Sequence, residues 1–152
     1  MSAVMEMVAT EEQLVAFRLA GEIYGVDIAL IHEIIRLCEI TQIPRTSPEI
    51  EGVVNLRGKI VPIMDLRQRL GIAAAERNSQ NRIIVIQAGD CTVGVVVDSV
   101  IGVLRISQSQ IEPPSKLVTD LDTETIRGVG KSDEQLIILL NMHKVLRMEE
   151  EK

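Results

Sequence analysis

The chain repeats itself, and that constrains its fold more than any other feature. Residues 52–66 read GVVNLRGKIVPIMDL and residues 128–142 read GVGKSDEQLIILLNM. At an offset of 76, Gly52 falls on Gly128, Val53 on Val129, Val61 on Ile137, Ile63 on Leu139, Asp65 on Asn141, Leu66 on Met142 and Leu70 on Leu146. Earlier in the chain the offset is 69: Leu14 falls on Ile83, Phe17 on Ile86, Gly25 on Gly94 and Pro44 on Pro113. The growth from 69 to 76 places an insertion of seven residues in the second copy, within residues 114–127, where a longer loop costs little.

Each copy reads as short strands followed by a short helix. LVAFRL (14–19) and IYGVDI (23–28) are strands around the turn Ala20–Gly21–Glu22. ALIHEIIRL (29–37) has apolar residues at 30, 31, 34, 35 and 37, a spacing that suits one or two helical turns with Asp27 near the start. ITQIP (40–44) is a short strand closed by Pro44. In 52–66, the β-branched Val53, Val54, Ile60 and Val61 flank Asn55–Gly58, a hairpin connection. Pro62 lacks an N–H and belongs at an edge or bend. Asp65 is an N-cap and Gly71 ends the helix. AAAERNSQN (73–81) is a connection. IIVI (83–86) and TVGVVVDSV (92–100) then restart the pattern. The acidic groups Glu11–Glu12 and Glu149–Glu151 lie in tails.

The expected fold is mainly β: two five-stranded barrels related by the internal repeat, with short helices after the strands. Their approximate spans are 14–72 and 82–147, with the N-terminal strand a candidate for exchange between them and 1–12 and 148–152 as tails. A copy of about 60 residues is marginal alone. Barrel closure removes sheet edges that would otherwise pair with other chains.

Composition narrows the function. Hydrophobic residues make up 46%, with one Phe, one Tyr and no Trp, so the core is aliphatic and no aromatic platform exists for base stacking. A net charge of −6 opposes nucleic acid or an anionic membrane as partner. Cys38 and Cys91 are isolated and read as small buried hydrophobes in a reducing compartment. The start carries no signal-peptide pattern, and no apolar run spans a bilayer.

Catalytic motifs are missing. RGVGKSDE (127–134) lacks the glycine that a phosphate loop needs, because Thr125 stands there; by the repeat it is the second hairpin. His32 and His143 share no site. Asp98, alone in an apolar strand, reads as a strand-end cap or contact residue without a second catalytic group. Arg57 sits at a hairpin tip, and Glu33 could face it across the first barrel.

GVVNLRGKIVPIMDLR, with VGVVVDSV and ILLN further on, resembles the CheW family of bacterial chemotaxis coupling proteins, from about Leu14 to Leu146. The resemblance implies two SH3-like barrels and a non-catalytic, cytoplasmic scaffold or adaptor in signal transduction, with no cofactor, metal or small-molecule substrate. It implies two partners: the cytoplasmic tips of chemoreceptors and the regulatory module of the histidine kinase CheA. Carried over by residue, the receptor surface comprises Ile31, Glu33, Asn55, Arg57, Asn81, Arg82, Val100 and Val103, and the kinase contacts lie near Ile43, Pro44 and Gly52. A regulator of CheV type, or another protein-binding double barrel, is the alternative.

Overall fold

In a computed structural model, residues 11–44, 49–113 and 124–146 are described. Eleven strands and two one-turn helices follow one another: β1 (Glu11–Leu19), β2 (Glu22–Asp27), β3 (Ile31–Arg36), β4 (Ile50–Leu56), β5 (Lys59–Asp65), α1 (Leu66–Arg69), β6 (Arg82–Ala88), β7 (Cys91–Val97), β8 (Ser99–Ser107), β9 (Ile111–Glu112), β10 (Ile126–Ser132), β11 (Gln135–Leu140) and α2 (Met142–Val145). Among the described residues no helix is long and apolar enough to cross a membrane.

The strands form two sheets, in the orders β3-β6-β7-β5-β4 and β8-β1-β2-β11-β10-β9. Each closes through the chain that follows its outermost strand. Beyond β3, Thr41 and Val53 exchange backbone hydrogen bonds of 2.9 and 2.8 Å, which joins that segment to β4. Beyond β8, one 3-10 turn leads into β9, which pairs with β10. The result is the expected pair of five-course, SH3-like barrels.

The barrels do not follow the two halves of the sequence. One is built from the contiguous run β3–β7; we call it the middle barrel. The terminal barrel takes β1 and β2 from the first repeat and β8–β11 from the second. The spans 14–72 and 82–147 therefore mark the repeat, not the sheets. Exchange involves the whole β1–β2 hairpin, and equivalent parallel ladders secure it: Ile63 lies opposite Gly94 and Leu139 opposite Gly25. These glycines leave room for the neighbouring side chain. A Cβ on Gly94 would stand 2.8 Å from both Ile63 and Ile83, and one on Gly25 3.2 Å from Ile137.

Strand alternation sorts the side chains into three cores. Leu14, Ala16, Ile23, Ile106, Ile137 and Leu139 fill the terminal barrel. Val54, Val61, Ile63, Ile83, Val85 and Val96 fill the middle barrel. The alternate residues, among them Val15, Phe17, Leu19, Val26, Met64, Ile84, Ile86, Val93, Val95 and Val97, meet in a third and larger core between the barrels. Strands covered on both faces need apolar side chains at every position. Runs such as GVVV and LIILL are the sequence trace of that arrangement.

Several local expectations need correction. Only Ile28–Leu30 forms a helical turn; Ile31–Arg36 is a strand. A β-bulge between Ile31 and Glu33 adds His32 to β3, so Ile31 and Ile34 share a face three positions apart and imitate helical spacing. Segment 40–44 contributes the single bridge at Thr41 rather than a strand. Pro62 lies in an interior strand. Its partner Val53 directs its backbone to Thr41, and the ladder from β5 to β7 begins only at Ile63, so the missing N–H falls where no ladder bond is made. Glu11 and Glu12 belong to β1, and Glu12 pairs with Arg127 at 2.6 Å. Glu149–Glu151 and most of the inserted loop lie outside the described residues. Cys38 and Cys91 are exposed, not buried: Cys38 lies in the irregular segment after β3 and Cys91 opens β7 at its turn.

Candidate functional site

Cross-strand partners share a sheet face, so the register shows where the inter-barrel core meets solvent. Ile84 and Ile86 of β6 belong to that core, and their partners on β3 are Ile34 and Ile31. Val15 and Phe17 of β1 belong to it as well, and their partners on β8 are Val103 and Val100. β3 and β8 thus continue the two faces outward. Ile31 and Val100 are half-buried against the shared core, while Ile34 and Val103 are 40% and 54% exposed. At the offset of 69, Ile31 corresponds to Val100, Ile34 to Val103 and Arg36 to Arg105. Bulges sit at corresponding places too: pairing skips His32 on β3 and Ile101 on β8. The margin of the inter-barrel core is therefore a pair of matching aliphatic rims, one on each barrel.

The bulge has a second effect. It turns Glu33 to the opposite face from Ile31, opposite Val85 of the middle barrel's interior. From there Glu33 reaches across the barrel mouth to Arg57, and the two form an ion pair. Arg57 stands in the β4–β5 turn with φ +54, followed by Gly58 at φ +87, the left-handed pair that a tight two-residue hairpin requires. Asn55 braces the turn by accepting a hydrogen bond from the Gly58 N–H at 2.8 Å. With the Arg57 side chain 68% exposed, the pair contributes about 0–1 kcal/mol. Its effect is to hold a guanidinium at the barrel mouth.

The remaining candidate residues differ in availability. Asn81 is buried, accepting from the Asn78 N–H at 2.9 Å and donating to the Asp98 carbonyl at 3.0 Å; it braces a loop and offers no contact surface. Arg82 donates to the Ser79 and Asn81 carbonyls at 2.9 and 2.8 Å. Ile43 and Pro44 are exposed beyond the Thr41 bridge. Gly52 is buried, and a Cβ there would collide with the Thr41 carbonyl, so it shapes the barrel seam and presents nothing itself.

Two features escaped the sequence reading. Ile34 is the repeat mate of Val103, and the offset of 69 was signal enough to find it. The other is a polar clasp. Asp98, between β7 and β8, receives Arg67 Nε at 3.1 Å and Nη2 at 2.7 Å, and the Ala20 N–H at 2.9 Å. Arg67 also donates to the Ala73 carbonyl at 2.6 Å. The clasp thus ties α1 of the middle barrel to the β1–β2 turn of the terminal barrel, two residues before Val100. The Arg67 hydrogen bonds hold the Asp98 carboxyl below its ordinary range, with burial opposing and the Ala20 N–H assisting. The same pairing holds the guanidinium above its own. Asp98 is therefore a structural anchor, not a proton donor.

A family model described as a CheW-like domain matches residues 13–150. This chain belongs to the CheW family. Among CheW proteins it is 37% identical to the chemotaxis protein CheW of Klebsiella aerogenes, over 91% of this chain and 84% of that one. It is 35% identical to the CheW of Thermotoga maritima, over 90% and 88%. Protein FrzA of Myxococcus xanthus is 33% identical over 90% and 86%. The fold is similar to the crystal structure of a scaffolding CheW from Thermoanaerobacter tengcongensis, with TM-score 0.83, 39% identity and 90% and 93% of the two chains covered. Family and fold together make the chain a chemotaxis coupling adaptor of the CheW type.

Proposed function

We propose that this adaptor couples the cytoplasmic tips of chemoreceptors to the regulatory module of the histidine kinase CheA, in the cytoplasm, through contact alone and without a bond-making step. One observation carries the receptor half of this reading: Ile31 and Val100 pack half-buried against the inter-barrel core while Ile34 and Val103 beside them stand exposed, and we read these pairs as the two sides of an apolar furrow. A helical hairpin with an apolar ridge covers such a furrow well. Arg57, held beside it by Glu33, supplies an oriented polar contact. The kinase half falls to the segment after β3, where Ile43 and Pro44 project near the seam shaped by Gly52. An adaptor of this kind changes kinase output only by binding the two kinase states unequally.

Val100→Asp tests the furrow. A carboxylate placed against the apolar core is expected to weaken binding of a receptor-tip hairpin at least about tenfold, since burying an unpaired charge costs more than about 1.4 kcal/mol. The circular dichroism spectrum is expected to stay native. Unchanged affinity in a calorimetric titration would remove the furrow from the receptor contact.

A further inference from the structure

Arg36 ends the β3 rim, and its cross-strand partner on β6 is Arg82. Partners in an antiparallel ladder stand about 4.5–5.5 Å apart at Cβ and point the same way, and like charges so placed destabilise a sheet. The two guanidinium groups thus share one face, the face that carries Ile34 and Ile31. Arg82 is tethered by the Ser79 and Asn81 carbonyls through a single nitrogen, Nη1. Its other donors are uncommitted among the described residues. Arg36 is exposed, and its side chain makes no hydrogen bond or ion pair among the described residues. In a chain of net charge −6, with carboxylates to spare elsewhere, two facing arginines left without an acid are a local cost that folding does not repay.

We propose that Arg36 and Arg82 together form a seat for a carboxylate of the docked partner: an Asp or Glu on the helix that lies along the Ile31–Ile34 rim. The inference rests on the receptor-docking reading and adds the partner's chemistry and its direction. Ile34 and Arg36 are two strand positions, about 7 Å, apart, close to one helical turn of about 5.4 Å. The partner helix therefore carries its acid about one turn beyond the apolar residue that meets Ile34. The other rim does not reproduce the seat, because Arg105, the repeat mate of Arg36, faces Gln13. The occupant is thereby oriented, with its acidic turn against β3 and not β8.

The experiment titrates a receptor-tip hairpin into the wild-type chain and into Arg36→Gln, Arg36→Glu and Val103→Asp at low and high salt, with melting curves of each variant. Arg36→Gln is expected to weaken binding about two- to fivefold at low salt, a deficit that shrinks towards 0.5 M salt as screening takes over. The same variant is expected to keep or raise its Tm by about 1–3 °C, because the like-charge pair is gone; a merely structural arginine would lower it. A Glu→Lys change at the matching turn of the hairpin is expected to restore binding to Arg36→Glu. If Val103→Asp abolishes binding while Arg36→Gln binds as wild type, the carboxylate seat is wrong and the furrow stands. If Val103→Asp binds as wild type, the furrow reading fails and the seat with it.

Discussion

Replacing Asp98 by alanine removes more than one ion pair. The carboxylate accepts two bonds from Arg67 and one from the Ala20 N–H, so the substitution leaves the guanidinium and a turn N–H without their acceptor. Hydrogen bonds to a charged group contribute about 1.5–3 kcal/mol each when shielded. Here the side chains of Arg67 and Asp98 are 16% and 32% exposed, and water can replace part of what is lost. We expect a net loss of about 1–3 kcal/mol, or about 3–10 °C in Tm for a domain of this size. A double-mutant cycle with Arg67→Met isolates the pair and is expected to show coupling of about 1 kcal/mol or more. The difference should also depend on pH with a definite sign. Because the folded carboxyl is held below its ordinary value, its stabilisation is complete above the unfolded pKa of about 3.9 and is lost as pH falls through the lower folded value. The gap between wild type and Asp98→Ala should therefore be constant from pH 7 down to about 5 and close below about 4. A chemical-denaturation series showing less than about 0.5 kcal/mol between them at pH 7, or a gap that widens on acidification, would refute the clasp.

Other expectations follow from the packing. Gly52→Ala would drive a methyl into the Thr41 backbone, whereas Gly130→Ala meets only the flexible end of Ile106; the first should cost about 1–3 kcal/mol and the second clearly less, as read from urea midpoints. Because each barrel draws strands from both repeats, residues 1–75 and 76–152 produced separately should show little native structure alone and regain the β spectrum when mixed; independent folding of either half would contradict the exchanged topology. Arg57→Ala should change stability by about 1 kcal/mol or less and yet reduce kinase activation in a reconstituted receptor–kinase array, and full activation by that variant would leave the barrel-mouth arginine without a role.

Much of this architecture was written in the residue pattern. The offsets of 69 and 76 yielded the repeat, the β4–β5 hairpin and its copy β10–β11, and the N-caps: Asp65 accepts from the Arg67 N–H and Asn141 from the Lys144 N–H. What stayed hidden was long-range or parity-breaking. The N-terminal strand stands out as a candidate for exchange, but nothing local to 14–27 says that the whole hairpin leaves the first repeat and docks beside β8 and β11, because both faces of its strands are apolar in either barrel. The bulge at His32 broke the period-2 signal of β3 and made a strand look helical. At the site, the family's motif led to Glu33 and Arg57, and geometry joined them. Asn81 is buried and braces a loop, a placement that the amide's position in the sequence does not announce.

On the proposed reading the receptor docks on the margin of the inter-barrel core with Arg57 at its flank, and the β10–β11 hairpin tip of the terminal barrel takes no part. Methyl resonances test this directly, since Ile31, Ile34, Val100 and Val103 report the rims while Leu136, 60% exposed, reports the start of β11 at that hairpin. On adding a receptor-tip hairpin, shifts and broadening are expected at the four rim residues with Leu136 unmoved. Perturbation confined to Leu136 would contradict the rim assignment.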